Sequence, residues 1–153
     1  MGETAKINIK GLEGLIKSLK GKTPVARIGI LGDGASRNSG AKSNAEIGAV
    51  HEFGSGKMPQ RSFLRVPIAE NLEKFLASAG AFDKEALALV VKEGSLVPYI
   101  KRVATVAEAV VFEGFDTGGF GKWPPSNMAY KKVHQTLVET QQLRNSITSE
   151  VIE

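Results

Sequence analysis

The chain contains no cysteine. That excludes disulfide cross-links, thiol nucleophiles, iron–sulfur clusters and cysteine-ligated zinc, and it is compatible with an oxidising or a reducing compartment. No apolar run approaches the roughly 18 residues that a membrane span requires. Residues 1–10 carry no hydrophobic stretch, so neither a secretory signal nor a membrane partner is expected. Histidine occurs twice, at His51 and His134, and tryptophan once, at Trp123. What remains is a globular composition: 153 residues, 42% hydrophobic and 24% charged, with a formal net charge of +4. A chain of this size is long enough to bury one core, and a single domain over residues 1–153 is expected.

The charge is unevenly placed. Residues 1–45 hold eight Lys/Arg against Glu3, Glu13 and Asp33, a net of +5. The excess is spread over a helix, a strand and a loop, and no aromatic lies among these residues before Phe53. Single-stranded nucleic acid is bound by aromatic platforms beside basic groups. Their absence makes a solvated surface the first reading and a basic nucleic-acid-binding domain the main alternative from another class.

Hydrophobic spacing divides the chain into short elements. Alternation over Ala5–Lys10 predicts a strand. Leu12, Leu15, Ile16 and Leu19 then form one apolar stripe on a helix, with Glu13, Lys17 and Lys20 outside and Gly21 as its stop. Val25 to Leu31 is rich in β-branched residues and predicts a second strand. The loop of residues 32–43 has glycines and serines with nothing large to bury, which predicts mobility. Ser43 or Asn44 caps a helix with Glu46 in its first turn and Ile47, Val50 and Phe53 as its apolar side, ended by Gly54. Helical spacing resumes from Ile68, with Pro67 tolerated near the first turn. It continues over Asp83–Glu93 and, past Gly94, to about Phe112, as two helices or one kinked one. A second loop, residues 113–127, places Phe115, Phe120 and Trp123 among glycines and prolines, where large aromatics dock on their own core or on a neighbour. Ser126 opens a short helical piece through Val133, and Leu143 to Ile152 resumes alternation (Ile147, Ser149, Val151) as a closing strand. The fold class expected is α+β: a small mixed or antiparallel sheet of three to four strands, packed by helices, with two long mobile loops.

Catalytic patterns are thin. His51-Glu52-Phe53-Gly54-Ser55 starts like a zinc-protease helix, but the residue four after His51 is Ser55 rather than a second histidine. Gly21-Lys22-Thr23 matches only the end of a phosphate-binding loop, since the position of the first glycine is Ile16. The glycines from Gly29 to Gly34 stand in the wrong order for a dinucleotide turn. No serine sits in a Gly-x-Ser-x-Gly turn. No catalytic residue, metal ligand or cofactor is therefore assigned, and an enzyme is not expected.

Other segments carry a different pattern. Glu46-Ile-Gly-Ala-Val-His51-Glu52-Phe53-Gly54 is followed by Met58-Pro59-Gln-Arg61-Ser-Phe63-Leu64-Arg65. Further on stand Trp123-Pro-Pro-Ser126 with Lys131 or Lys132, and Leu137-Val-Glu-Thr140-Gln141-Gln-Leu143-Arg-Asn-Ser146-Ile147. In this order, and over about residues 45–147, they resemble the virion morphogenesis family of tailed phages, the tail-completion and head–tail joining proteins. One position departs from that pattern: Gln141 stands where the family has glycine, and a glycine would permit positive φ. Gln141 therefore predicts a different local backbone or a continued helical turn.

The resemblance implies a structural subunit of a ring at the neck, completing or terminating the tail tube and joining it to the connector around a DNA channel. A connector adaptor or neck ring carries the same signature. Its partners would be further copies of itself (a hexamer, or a dodecamer for an adaptor), connector or neck proteins, and the tail tube or tail terminator. DNA would pass through the lumen without specific binding. The location would be the virion neck or tail end, after assembly in the host cytoplasm. In physical terms Glu52 is expected to pair with the guanidinium of Arg61 or Arg65, holding residues 54–60 against the next helix, with Phe53, Phe63 and Leu64 buried beneath. A ring needs heterologous contacts. The loops are candidates to make them, through Arg37 and Lys42 on the first and through Phe115, Phe120 and Trp123 as anchors on the second.

Overall fold

The computed structural model describes residues 9–21, 23–36, 42–56, 58–81, 83–125 and 141–153. In chain order these form α1 (Ile9–Lys20), β1 (Val25–Ile30), a 3-10 turn (Gly32–Ala35), α2 (Asn44–Phe53), α3 (Arg65–Ser78), α4 (Lys84–Glu93), α5 (Val97–Asp116), a helical turn α6 (Gln142–Asn145) and β2 (Ile147–Ile152). β1 and β2 pair antiparallel, Val25 opposite Ile152 and Ile30 opposite Ile147. Both strands, and α3, pack on α5. Phe63, Val111, Phe115, Leu143 and Ile147 make the buried core, flanked by Ile28, Ile30, Leu64, Ile68, Phe112 and Trp123.

Helices with one small antiparallel sheet agree with the α+β class. Among the described residues, however, the sheet has two strands rather than three to four. Residues 5–8 of the strand predicted over 5–10 lie outside the described residues, and Ile9 and Lys10 are the first residues of α1. Ile9 stands three and seven residues before Leu12 and Ile16, so the helical period takes it as readily as the alternation does. Along the α1 stripe, Leu12 and Ile16 are each 43% exposed and Leu19 is 57% exposed. The helix instead approaches α4 through Gly14, whose missing side chain would come within 3.1 Å of the Gly94 Cα. Gly94 closes α4 in a left-handed conformation and α5 begins afresh at Val97, so the segment is two helices.

In α2 the buried residues are Asn44, Gly48 and Glu52, spaced four apart on one face. Ile47 and Val50 are half-buried, and Phe53, read as part of the apolar side, is 67% exposed. The hydrophobic pattern misplaces this face because its residues act through polarity and small size. Asn44 Nδ2 donates to the carbonyls of Gly34 and Ser36, at 2.9 and 3.1 Å. At Gly48 a methyl group would meet Ile30 Cδ1 at 2.5 Å and Phe63 at 3.4 Å, so glycine lets the helix backbone approach the core directly.

The predicted loop of residues 113–127 is largely structured. α5 runs to Asp116, which leaves Phe115 inside the helix and fully buried. In the predicted loop of residues 32–43, residues 32–35 form a 3-10 turn held by Asn44, and residues 37–41 lie outside the described residues. The helix predicted from Ser126 lies outside them as well, and the closing strand predicted from Leu143 starts only at Ile147, because Gln142–Asn145 turn as α6 and bury Leu143 in the core. Gln141 adopts φ +52°. The backbone that a glycine would permit is thus kept without glycine, and its carbonyl accepts from the Asn145 N–H at 2.8 Å to open α6. The different backbone expected at this position is not what the chain adopts.

Two measurements follow from these caps. Gln141→Gly removes the steric cost of a left-handed L-residue, roughly 1–2 kcal/mol, against the extra unfolded-state entropy of glycine. The net effect is a stabilisation of about 0.5–1 kcal/mol, read as a higher urea midpoint; an unchanged or lower midpoint contradicts it. At the start of α2, Ser43 and Glu46 form a complete capping box. Hydrogen bonds from the Ser43 backbone N–H and hydroxyl hold the Glu46 carboxyl below its ordinary range. A lowered folded-state pKa contributes stability above the unfolded value, and that contribution disappears as pH falls through the folded one. Glu46→Gln, which removes the titrating carboxyl, should therefore flatten the acid side of the stability–pH curve while leaving the alkaline side parallel to wild type, as followed by denaturant titration. Ser43→Ala keeps the backbone donor and should flatten it only in part.

Candidate functional site

Ser62, Phe63, Leu64 and Arg65 approach the start of α3, whose first backbone N–H groups have no partner inside the helix. The Glu52 carboxylate, near the end of α2 and 6% exposed, reaches them. Its Oε2 accepts from the N–H of Phe63 and of Leu64, each at 3.0 Å. Its Oε1 accepts from the Ser62 hydroxyl at 2.5 Å and from the Arg65 N–H at 3.2 Å. Ser62 Oγ in turn accepts from the Val66 N–H at 3.0 Å. Pro67 has no N–H to satisfy, and the regular ladder begins with the Ile68 N–H on the Leu64 carbonyl at 3.2 Å. Every donor of the first turn is accounted for, and Pro67 fits because it supplies none. The negative charge also lies where the positive end of the α3 dipole favours it.

The capping is reciprocal. Beyond Gly54, at φ +76°, the chain turns through a Ser55–Met58 bridge and returns along α2. The Arg61 N–H then donates to the His51 carbonyl at 2.8 Å, and Gln60 Nε2 donates to the Glu52 carbonyl at 3.0 Å. The last carbonyls of α2 and the first N–H groups of α3 thus close on each other through one short segment.

A third segment locks onto this pair. Trp123 Nε1 donates to the Ser62 carbonyl at 3.0 Å. The Arg61 guanidinium, 7% exposed, donates through Nε to the Pro124 carbonyl and through Nη2 to the Pro125 carbonyl, both at 3.1 Å. Burial holds its pKa below the usual arginine value, and the group remains a cation at neutral pH. Phe63, Phe115 and Trp123 form a run of ring contacts, with centroids 5.3 and 5.7 Å apart.

These contacts revise the expected pairing. Arg61 points to two carbonyls, and Arg65 is peripheral: its Nε lies 3.7 Å from Glu52 Oε1 with the side chain 60% exposed. Backbone N–H groups and a hydroxyl are the main partners of Glu52, because they are fixed by the helix start and need no long side chain to be ordered. Phe63 is buried and Leu64 half-buried, as read from the sequence, but Phe53 is not buried. Of the three aromatics read as anchors for a neighbour, Phe115 is core. Trp123 is docked on Ser62 and Phe115, and Phe120 meets Phe75 edge-on at 6.3 Å. Leu143 is core. Ser146 is buried, and its hydroxyl donates to the Leu143 carbonyl at 2.7 Å. His51 and Gly54 are half-buried, while Pro59 and Lys42 are exposed and stand apart from the cluster. Ser126 and Arg37 lie outside the described residues.

Ser62 and Gln60 complete the site and were not singled out by sequence. A serine just before a helix that is marked by Pro67 is a readable capping signal. The acidic partner ten residues upstream is not, because no local pattern encodes it. Among the described residues no three His, Asp or Glu side chains converge as a metal site, and no helix is long and apolar enough to cross a membrane. No family model, curated protein or solved structure matches the chain.

The Glu52 cap yields a graded prediction. Glu52→Ala leaves three backbone N–H groups and Ser62 without their acceptor, at about 1–3 kcal/mol for each donor left buried. It should destabilise the fold by at least about 3 kcal/mol. Glu52→Gln retains one acceptor oxygen and should cost less. Trp123, the only tryptophan, reports the outcome: its emission should shift to the red in Glu52→Ala at urea concentrations where wild type is still native. Equal midpoints for wild type and Glu52→Ala would contradict the assignment.

Proposed function

We propose that this chain is a structural virion protein of a tailed phage, a ring subunit at the head–tail interface that completes or terminates the tail tube and joins it to the connector. The observation that carries the reading is the convergence of the segments on which the resemblance rests. His51 to Gly54, Pro59 to Arg65 and Trp123 to Pro125 lie far apart in sequence and meet through Glu52, Arg61, Ser62 and Trp123. Their side chains satisfy helix ends and the carbonyls of Ser62, Pro124 and Pro125. The work of these residues is therefore geometric, holding two helices and a distant segment in fixed relation, which suits an assembly part better than an enzyme.

On this reading the partners are copies of the same chain, six in a tail-end ring or twelve in an adaptor. Connector or neck proteins and the tail tube or terminator lie on either side, in the virion neck. DNA passes through the lumen without specific binding, and no membrane is involved. The sheet of three to four strands belongs to this reading too: β1 and β2 each pair on one side among the described residues, and strand addition from a neighbouring subunit would extend them. The positive excess in residues 1–45 would face an acidic neighbour or the lumen. A connector adaptor is the alternative within the same virion region, and a basic nucleic-acid-binding domain the alternative outside it.

Electron microscopy of the purified chain, and of phage necks containing it, tests the proposal. The expected result is closed rings with an open lumen, sixfold for a tail-end ring. A chain that forms no ring, is missing from the neck and is retained on duplex DNA with a steep salt dependence supports the nucleic-acid reading instead.

A further inference from the structure

α1 meets the rest of the fold by its small side. Its main neighbour is α4, approached where Gly14 comes close to Gly94. At ~100° per residue, Leu12, Ile16 and Leu19 lie roughly 140–160° around the helix from Gly14. The stripe therefore points away from the α4 of its own copy. Of the nine large apolar side chains exposed among the described residues, five belong to these two helices: Leu12, Ile16, Leu19, Leu87 and Leu89. Exposed apolar surface is thus concentrated here. Lys10, Glu13, Lys17 and Lys20, all exposed, form a row beside the stripe with a net charge of +2. On α4 the exposed residues Glu85, Leu89 and Glu93 stand four apart and make one ridge. With Lys92 beside it, that ridge carries a net charge of −1. None of these charges is paired with a described residue. The ion pairs recorded are Arg27–Glu150, Arg65–Glu52, Lys122–Glu70 and Arg144–Asp116, and no side chain of α1 or α4 takes part in them.

We infer that α1 of one copy lays its stripe along the Glu85–Leu89–Glu93 ridge of α4 on a second copy, with Lys17 and Lys20 facing the two glutamates. Three observations select that occupant. The α4 of the same copy is out of reach, because the stripe lies on the far side of α1 from Gly14. A second α1 is the wrong partner, because antiparallel pairing of two stripes sets one positive row against another. The α4 ridge offers an exposed leucine between carboxylates that have no other partner among the described residues, so the two faces match in both apolar character and sign of charge. Contact between two different faces is heterologous and repeats from subunit to subunit. The inference rests on the ring reading above and names a contact that would build the ring. It places the positive excess of the N-terminal third against an acidic neighbour, and moves the anchor role from Phe115, Phe120 and Trp123 to α1.

Exchanging the charges tests this in the full chain, with assembly followed by sedimentation velocity over a concentration series. One variant carries Lys17→Glu and Lys20→Glu, the other Glu85→Lys and Glu93→Lys. All four side chains are exposed, so melting midpoints should stay near wild type. Each variant alone should need about tenfold or more higher concentration to assemble. An equal mixture of the two should assemble like wild type, and so should a chain with all four substitutions. A contact between two α1 helices would be rescued by the mixture but not by the combined chain. A second arm uses the absence of native cysteine: chains with Ile16→Cys and chains with Leu89→Cys are mixed under mild oxidation. Disulfides should join unlike chains in preference to like ones. Assembly unchanged in either charge variant, or disulfides that join like chains, overturns the contact and leaves the ring reading standing. A chain that is monomeric at every concentration and forms no mixed disulfide also overturns it, and the ring reading then rests on the neck particles alone. Binding of that monomer to phosphatidylserine vesicles would assign the stripe to a lipid surface instead.

Discussion

One buried carboxylate organises this fold. Glu52 ends one helix and caps the next, and its two oxygens receive three backbone N–H groups and a hydroxyl. A buried carboxylate is costly unless its acceptor sites are filled. The same geometry that fills them also satisfies donors that α3 cannot satisfy internally. Two liabilities, a buried charge and an open helix start, cancel each other. The cancellation holds only while the short segment of residues 54–60 brings α3 back to α2, so the position of α3 against the core depends on it.

From that point the constraint spreads outward. The N–H of Ser62's neighbour Phe63 is taken by Glu52, while the Ser62 carbonyl takes Trp123. Arg61, held through its own N–H on the end of α2, delivers its guanidinium to the carbonyls of Pro124 and Pro125. Proline leaves those carbonyls without a nearby N–H, and a buried arginine is a strong donor to them. Phe63 and Trp123 then both contact the Phe115 ring, one tilted at 43° and the other edge-on at 86°, which ties the capped helix pair to α5 and through it to the two-stranded sheet.

Much of this was legible in the sequence. The strand at Val25–Ile30, the capped start of α2 at Ser43 and the break at Gly94 follow from β-branched runs, capping chemistry and glycine, and the closing strand does from Ile147 onward, while Leu143, read as its start, belongs to the turn α6. Phe63 and Leu64 were readable as inward-facing. The buried face of α2 was not, because Asn44, Gly48 and Glu52 have the spacing of a core stripe without its hydrophobicity. Phe53 was misread for the converse reason: its spacing with Ile47 and Val50 is that of a core residue, but Glu52 turns the burial one position away. The segment around Phe115 was read as loop because its glycines outweighed the helical continuation to Asp116.

The sequence by itself determined most of the element types, the absence of thiol chemistry and the location of the positive charge. These follow from local spacing and composition, which act within a few residues. Only the tertiary structure decided which partners the polar residues take: Glu52 with backbone rather than arginine, Arg61 with proline carbonyls some sixty residues away, Gln141 in a left-handed turn, and Phe53 left outside. Those choices depend on which donors and acceptors remain unsatisfied once the helices are packed, and that sum exists only in the folded chain.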